Sequence, residues 1–99
     1  MATFAAAYAD GAVVIDVRDP DEYVSGHLPG ARLIPLGQLS DRVAEVPHGQ
    51  RVYVVCASGK RSQIAADLLA RAGVDAVSVV GGTAGWQQSG LPVRHGAHP

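Results

Sequence analysis

A single cysteine stands among 99 residues, alongside one tryptophan, one phenylalanine and three tyrosines. One thiol cannot close an intramolecular disulfide, and no cysteine and histidine spacing resembles a zinc site, so neither a disulfide nor a structural metal is expected. Charge of one sign is equally scarce: eight Lys and Arg against nine Asp and Glu leave a net charge of −1. A nucleic-acid binder normally carries a basic domain or stripe, and that footprint is missing. No apolar run approaches the ~20 residues needed to span a bilayer. The opening residues lack the charged and apolar regions of a secretory signal. The composition therefore reads as a soluble cytoplasmic protein with no cofactor, no membrane and no nucleic acid among its partners. With 47% apolar residues, the chain suits one compact domain over 1–99, without room for a second core.

What is present is an alternation of strand and helix patterns. Thr3 can cap a short helix from Phe4 to Ala9, with Gly11 beyond its end. Ala12 to Val17 is an unbroken apolar run but for Asp16, as in a parallel strand covered on both faces. Asp16 and Arg18 at its end read as a buried ion pair or cap in preference to catalysts, because charges there need partners. Asp19-Pro20-Asp21-Glu22 is a helix start, with Asp19 as N-cap and Glu22 placed to return the capping bond. Gly26 ends that helix, and Pro29-Gly30 turns the chain toward a short strand between Ala31 and Pro35. His27 in the turn reads as a hydrogen-bonding turn holder; a Cys/His dyad is the alternative.

Leu36, Leu39, Val43 and Val46 are spaced for an amphipathic helix, stopped by Pro47-His48-Gly49. A strand from Val52 to Val55 follows. After a short loop, Ile64, Ala65, Leu68, Leu69 and Ala72 form the apolar stripe of a second helix, with Asp67 and Arg71 as an i,i+4 pair and Gly73 as its stop. Val74 to Val80 supplies the last strand. Thr83 can cap a short helix carrying Trp86, which reads as core packing in preference to a pocket wall. The polar tail 94–99 is expected to fray. The pattern predicts an α/β domain with a mainly parallel sheet.

The cysteine falls where the strand Val52–Val55 ends, followed by Ala57-Ser58-Gly59-Lys60-Arg61-Ser62. Ligands of open α/β sheets bind at this end of the strands, facing the amino termini of helices. Loop N–H groups and the helix dipole there favour an anion, and so favour thiolate over thiol. A lone cysteine at a strand end is often only a small core hydrophobe. A core position, however, does not need a glycine-containing basic loop behind it, whereas an anion nest does. Cys56 is thus the candidate nucleophile.

Several segments, in order, resemble the rhodanese family of sulfurtransferases in its single-domain form. They are Asp16-Val17-Arg18, Glu22-Tyr23, Gly26-His27-Leu28 with Gly30-Ala31 and Pro35, Cys56 through Ser62, Gly81-Gly82 with Trp86, and Gly90-Leu91-Pro92-Val93. The likeness runs from about Ala12 to Val93. It implies a three-layer α/β domain with a mainly parallel sheet of four to five strands and helices on both faces. The first edge strand common in the family is here reduced to residues around Met1 to Phe4, or absent. Leu33 also stands where the family often has asparagine.

The resemblance further implies that Cys56 carries sulfur as a persulfide, with Ala57, Ser58, Gly59, Lys60, Arg61 and Ser62 as the substrate-binding loop. Lys60 and Arg61 would steer an anionic donor such as thiosulfate, and cyanide or a thiol, including a protein thiol, would be the acceptor. Asp16, Arg18, Glu22 and His27 would belong to the scaffold. Related phosphatases place arginine sixth after the cysteine; here arginine is fifth and Ser62 sixth, a loop one residue short for phosphoryl or arsenate chemistry. A carrier or partner-binding module that hands sulfur to one protein without free turnover needs the same residues, so the sequence leaves that alternative open.

Overall fold

The computed structural model describes residues 2–99 and holds four parallel strands with five helices. In chain order these are α1 (Ala2–Ala9), β1 (Val13–Asp16), α2 (Pro20–Ser25), β2 (Arg32–Leu33), α3 (Leu36–Leu39), a 3-10 turn (Val43–Glu45), β3 (Val52–Val55), α4 (Lys60–Arg71), β4 (Ala76–Ser78) and α5 (Gly82–Gln88). The sheet order is β2-β1-β3-β4. Val13 to Asp16 pair in register with Val52 to Val55, and Val52 to Val54 pair with Ala76 to Ser78. From β1 the chain crosses outward to β2; from β3 it crosses the other way to β4. That reversal leaves a crevice between the carboxyl ends of β1 and β3, where α/β sheets place their ligands.

Alternation along the strands sends side chains to two cores. Ile15, Val17, Val52, Val54 and Cys56 pack with Ile34, Leu39, Ala65 and Leu69 beneath α3 and α4. On the other face Val14, Val55 and Val79 pack with Phe4 and Trp86. Phe4 lies 5.8 Å from Trp86 and 5.3 Å from Tyr53, centroid to centroid, and Tyr8 lies 4.8 Å from Trp86. These tilted and edge-on contacts add to the area buried. Trp86 is accordingly a core residue, with its indole N–H donating to the Pro92 carbonyl at 2.7 Å.

Some expectations are corrected. Thr3 does not cap α1: the helix already runs from Ala2, and Phe4 and Tyr8 anchor it to the aromatic cluster. Among the described residues no strand precedes β1, so the sheet has four strands; Met1 lies outside the described residues. The single helix expected from Leu36 to Val46 is broken in two. Arg42 leaves helical geometry (φ −118°, ψ 15°), and its guanidinium holds the break by donating to Gln38 Oε1 and the Glu45 carboxylate at 2.9 and 2.8 Å. Val46 still reaches the core.

On α4 the buried stripe is Ser62, Ala65, Ala66 and Leu69, while Ile64 is 58% exposed and Ala72 lies past the helix end. Asp67 accepts from Gln63 at 3.3 Å rather than pairing with Arg71. The last strand is shorter than expected, and Val80 beyond it is exposed. Gly81, with φ +85°, caps α5 in place of Thr83.

The tail is irregular but docked. His27 and Arg94 exchange backbone hydrogen bonds of 2.9 and 2.7 Å, and the Gly96 N–H donates to the Val24 carbonyl at 2.9 Å. The His27 ring, stacked on Tyr23 at 3.7 Å, sets its nitrogens 2.8 Å from the Tyr23 carbonyl and 2.9 Å from that of His98. One nitrogen faces the turn and the other the tail, which agrees with the turn-holder reading and leaves neither directed at Cys56 for a dyad.

Candidate active site

β3 delivers Cys56 to the crevice, and two helix starts shape the loop behind it. Gly59, at φ +128°, turns the chain into α4. From the other side the first turn of α5 reaches the loop's root: the Thr83 N–H donates to the Cys56 carbonyl at 2.9 Å and the Ala84 N–H to that of Ala57 at 3.1 Å. With the Ala57 carbonyl drawn toward α5, the Ser58 N–H on the other side of that peptide is left to face the sulfur. The approach is so close that a Cβ on Gly82 would lie 2.4 Å from the Cys56 oxygen. Only glycine fits there, which gives the Gly81-Gly82 pair a mechanical role in building the loop.

Cys56 is 1% exposed, so the sulfur lies at the bottom of the loop rather than on its rim. The Gly59 N–H points at Sγ from 3.0 Å, and Ser62 Oγ stands 3.4 Å away. Burial pushes the thiol up. Hydrogen bonds from the Ser62 hydroxyl and from the N–H groups of Ser62, Gly59 and Ser58 together outweigh it, and the net shift is downward, toward thiolate. These donors form an anion nest around Sγ. A cavity of about 330 Å³ lined by Arg18, Asp21, Glu22, Ser25, Gly26 and Gln87 does not include Cys56, nor does one of about 300 Å³ on the β4 edge.

The two basic residues of the loop differ. Lys60 is exposed and has no ion pair among the described residues. Arg61 is committed: its guanidinium grips the Glu22 carboxylate of α2 in a two-pronged pair, with contacts of 2.6 and 2.9 Å. That hydrogen bonding holds the Glu22 carboxyl down to about 2. Glu22 Oε1 also accepts the Asp19 N–H at 3.1 Å, so the expected capping residue doubles as a brace for the loop. Asp16 and Arg18, both buried, form the expected ion pair at 2.9 Å, and Arg18 adds a bond to the Gly26 carbonyl at 2.8 Å. They tie the end of β1 to the end of α2.

Residues 1–89 match the Rhodanese-like domain family. The chain belongs to that family. It is 38% identical over 79 residues to the thiosulfate sulfurtransferase GlpE of Pseudomonas putida, which covers 79% of this chain and 72% of that one. It is likewise 38% identical over 74 residues to YrkF, a candidate sulfur carrier protein of Bacillus subtilis, but spans only 40% of that protein's length. A rhodanese-related protein from Thermoplasma volcanium superposes with a TM-score of 0.84 at 32% identity, covering 91% of this chain and 92% of its own.

Within this rhodanese-like domain, two contributors to the site are hidden in the linear sequence. The partner of Arg61 is one, since a 39-residue separation hides it. Ser78 is the other: its hydroxyl sits 2.7 Å from that of Ser62. The available signal was a polar residue interrupting the apolar run Val77-Ser78-Val79-Val80. No helix among the described residues is long and apolar enough to cross a membrane, and no group of three or more His, Cys, Asp and Glu among them could hold a metal ion.

Proposed function

We propose that the protein is a sulfurtransferase that moves a sulfane sulfur from thiosulfate, or another persulfide donor, to cyanide or a thiol through a persulfide on Cys56. The observation carrying this is the convergence of hydrogen-bond donors on the buried Sγ at the carboxyl end of β3. The Cys56 thiolate attacks the outer sulfur of thiosulfate; an S–S bond forms, the sulfur–sulfur bond of the donor breaks, and sulfite leaves with its electron pair. The terminal sulfur of the persulfide carries negative charge and rests against the N–H groups of the loop. Cyanide or an acceptor thiolate then attacks that sulfur, leaving as thiocyanate or a new persulfide and returning Cys56 as thiolate. This is a double displacement with a covalent intermediate, governed by thiolate fraction, nucleophilicity and leaving group as in thiol–disulfide exchange.

In this reading Ala57 to Ser62 bind the donor, exposed Lys60 steers it, and Arg61 braces the loop through Glu22. The domain occupies 1–99, and its core, expected over about 12–93, also takes in Phe4 of α1. A cytoplasmic setting goes with it, since a reducing compartment keeps a lone thiol from being lost to a disulfide.

Intact mass after incubation with thiosulfate is the test. One added sulfur atom is expected, absent in Cys56→Ser and removed by cyanide with release of thiocyanate. No gain would redirect the reading to a protein donor or, after assay with arsenate and phosphate esters, to oxyanion chemistry. The second reading, a carrier that delivers sulfur to one protein, is favoured by the likeness to YrkF. Persulfide formation without steady-state turnover on small acceptors would select it.

A further inference from the structure

Ser62 Oγ lies within hydrogen-bonding reach of three atoms: Cys56 Sγ at 3.4 Å, the Gly59 carbonyl at 3.0 Å and Ser78 Oγ at 2.7 Å. A serine hydroxyl has one proton and two lone pairs. The Gly59 carbonyl and a thiolate can only accept, whereas Ser78 can donate or accept. While Cys56 is a thiol, its S–H can donate to Ser62, which in turn donates to the Gly59 carbonyl. Once the thiol proton has passed to solvent, Ser62 stabilises the sulfur only by turning its own proton toward Sγ.

That turn is cheap for Gly59, because its carbonyl also accepts the Gln63 N–H at 3.1 Å. It demands, however, that Ser78 be a donor: if Ser62 gave its proton to Ser78, the thiolate would lose its hydroxyl. Ser78 has no other polar partner among the described residues. It is also fixed in place by β4, where it lies in register with Val54 and the next residue's N–H donates to the Val54 carbonyl at 2.9 Å.

We infer that Ser78 is a positioning residue for the nucleophile: its hydroxyl donates to Ser62 Oγ and so aims the Ser62 proton at Cys56 Sγ. Successive hydrogen bonds in such a chain polarise one another, which strengthens the one that reaches the sulfur. The inference deepens the sulfurtransferase reading, but the thiolate it concerns can be observed without any sulfur transfer. Around the loop the charged groups are Lys60 and Arg61 on α4, Glu22 and Asp19 at the start of α2, and the mutually bound Asp16 and Arg18 at the end of β1. The stretch from β4 into α5 (76–88) brings no charge, only hydroxyls and amides.

The decisive comparison is Ser78→Val against Ser78→Thr, near-equal in volume and both at home in a strand, differing by the hydroxyl. The chain has a single cysteine, so thiolate absorbance near 240 nm followed against pH reads Cys56 alone below the tyrosine range. Ser78→Val is expected to lower the thiolate fraction about three- to tenfold at a fixed pH on the rising limb, the loss of part of a charge-assisted hydrogen bond. Ser78→Thr should titrate like the wild type. A Val variant that titrates like the wild type, or a Thr variant displaced as far as Val, would overturn the inference. Should Val fail to fold, Ser78→Ala replaces it in the same comparison. If thiosulfate never loads the wild type with sulfur, the functional reading fails while the titration still decides the role of Ser78.

Discussion

Gly82→Ala tests whether the contact between α5 and the loop is as tight as the structure has it. The added Cβ would sit 2.4 Å from the Cys56 oxygen, 2.8 Å from the Ala57 oxygen and 2.9 Å from the Ala57 carbonyl carbon. Bringing the first distance to the 3.0 Å below which such contacts essentially never fall moves helix and loop apart by about 0.6 Å. That would stretch the 2.9 Å bond from the Thr83 N–H to the Cys56 carbonyl to about 3.5 Å, outside useful geometry. The left-handed backbone at φ +55° adds its own strain once a Cβ is present. Strain of about 1 kcal/mol and overpacking of about 2 kcal/mol sum to about 3 kcal/mol. In a domain of this size that lowers the melting temperature by on the order of 15 °C.

The assay pairs thermal unfolding with the rate of sulfur loading on Cys56, and Gly11→Ala serves as control. Gly11 has φ +86° but nothing within 4 Å of an added Cβ, so it carries only the backbone cost. Melting of Gly82→Ala within a few degrees of the control, with loading at the wild-type rate, would refute the reasoning.

Two other perturbations probe the loop's charges. Glu22→Gln should cost about 1 kcal/mol at neutral pH, the bidentate pair being only partly shielded from solvent. Because Glu22 titrates near 2 when folded, against 4.5 ordinarily, its contribution is complete above about 4.5 and lost as pH falls toward 2. Urea unfolding of both proteins should therefore give a stability difference that closes between pH 5 and pH 2; a constant difference would contradict the pairing. Lys60→Ala should weaken thiosulfate use about two- to fivefold at low salt and hardly at all at high salt, with stability unchanged, because an exposed charge acts through a screened field. Arg61→Ala, by contrast, should lower stability and donor use together; kinetics unchanged in both variants would remove charge from the account.

How much could be read in advance varied with the range of the interaction. The strand from Val52 to Val55 ending on Cys56, the helix behind it and the start of α2 are written in consecutive residues, so local pattern placed them closely. The Asp16 and Arg18 pair was also legible, being two residues apart on one strand end. The helix expected over 36–46 failed because spacing reports which side chains seek the core and says little of the backbone between them. Arg42 and Glu45 break the helix while Val43 and Val46 still point inward. Ile64 fitted the stripe by hydropathy but not by the geometry of α4, which turns Ser62, Ala65, Ala66 and Leu69 inward and leaves Ile64 outside.

For the site, the sequence by itself determined the thiol, the small and basic loop and its place at a strand end, since a glycine, a cysteine and a helix start a few residues apart can be arranged in few ways. Only the tertiary structure decided what those residues do to one another. The crossing of β4 brings Ser78 to Ser62, α2 takes Arg61 out of play as a free charge, and α5 reaches the loop so closely that Gly82 can carry no side chain. Each of these meetings joins residues 16 to 39 positions apart or on separate elements. Hydrogen-bond direction and steric limits are settled in space, and a linear pattern records neither.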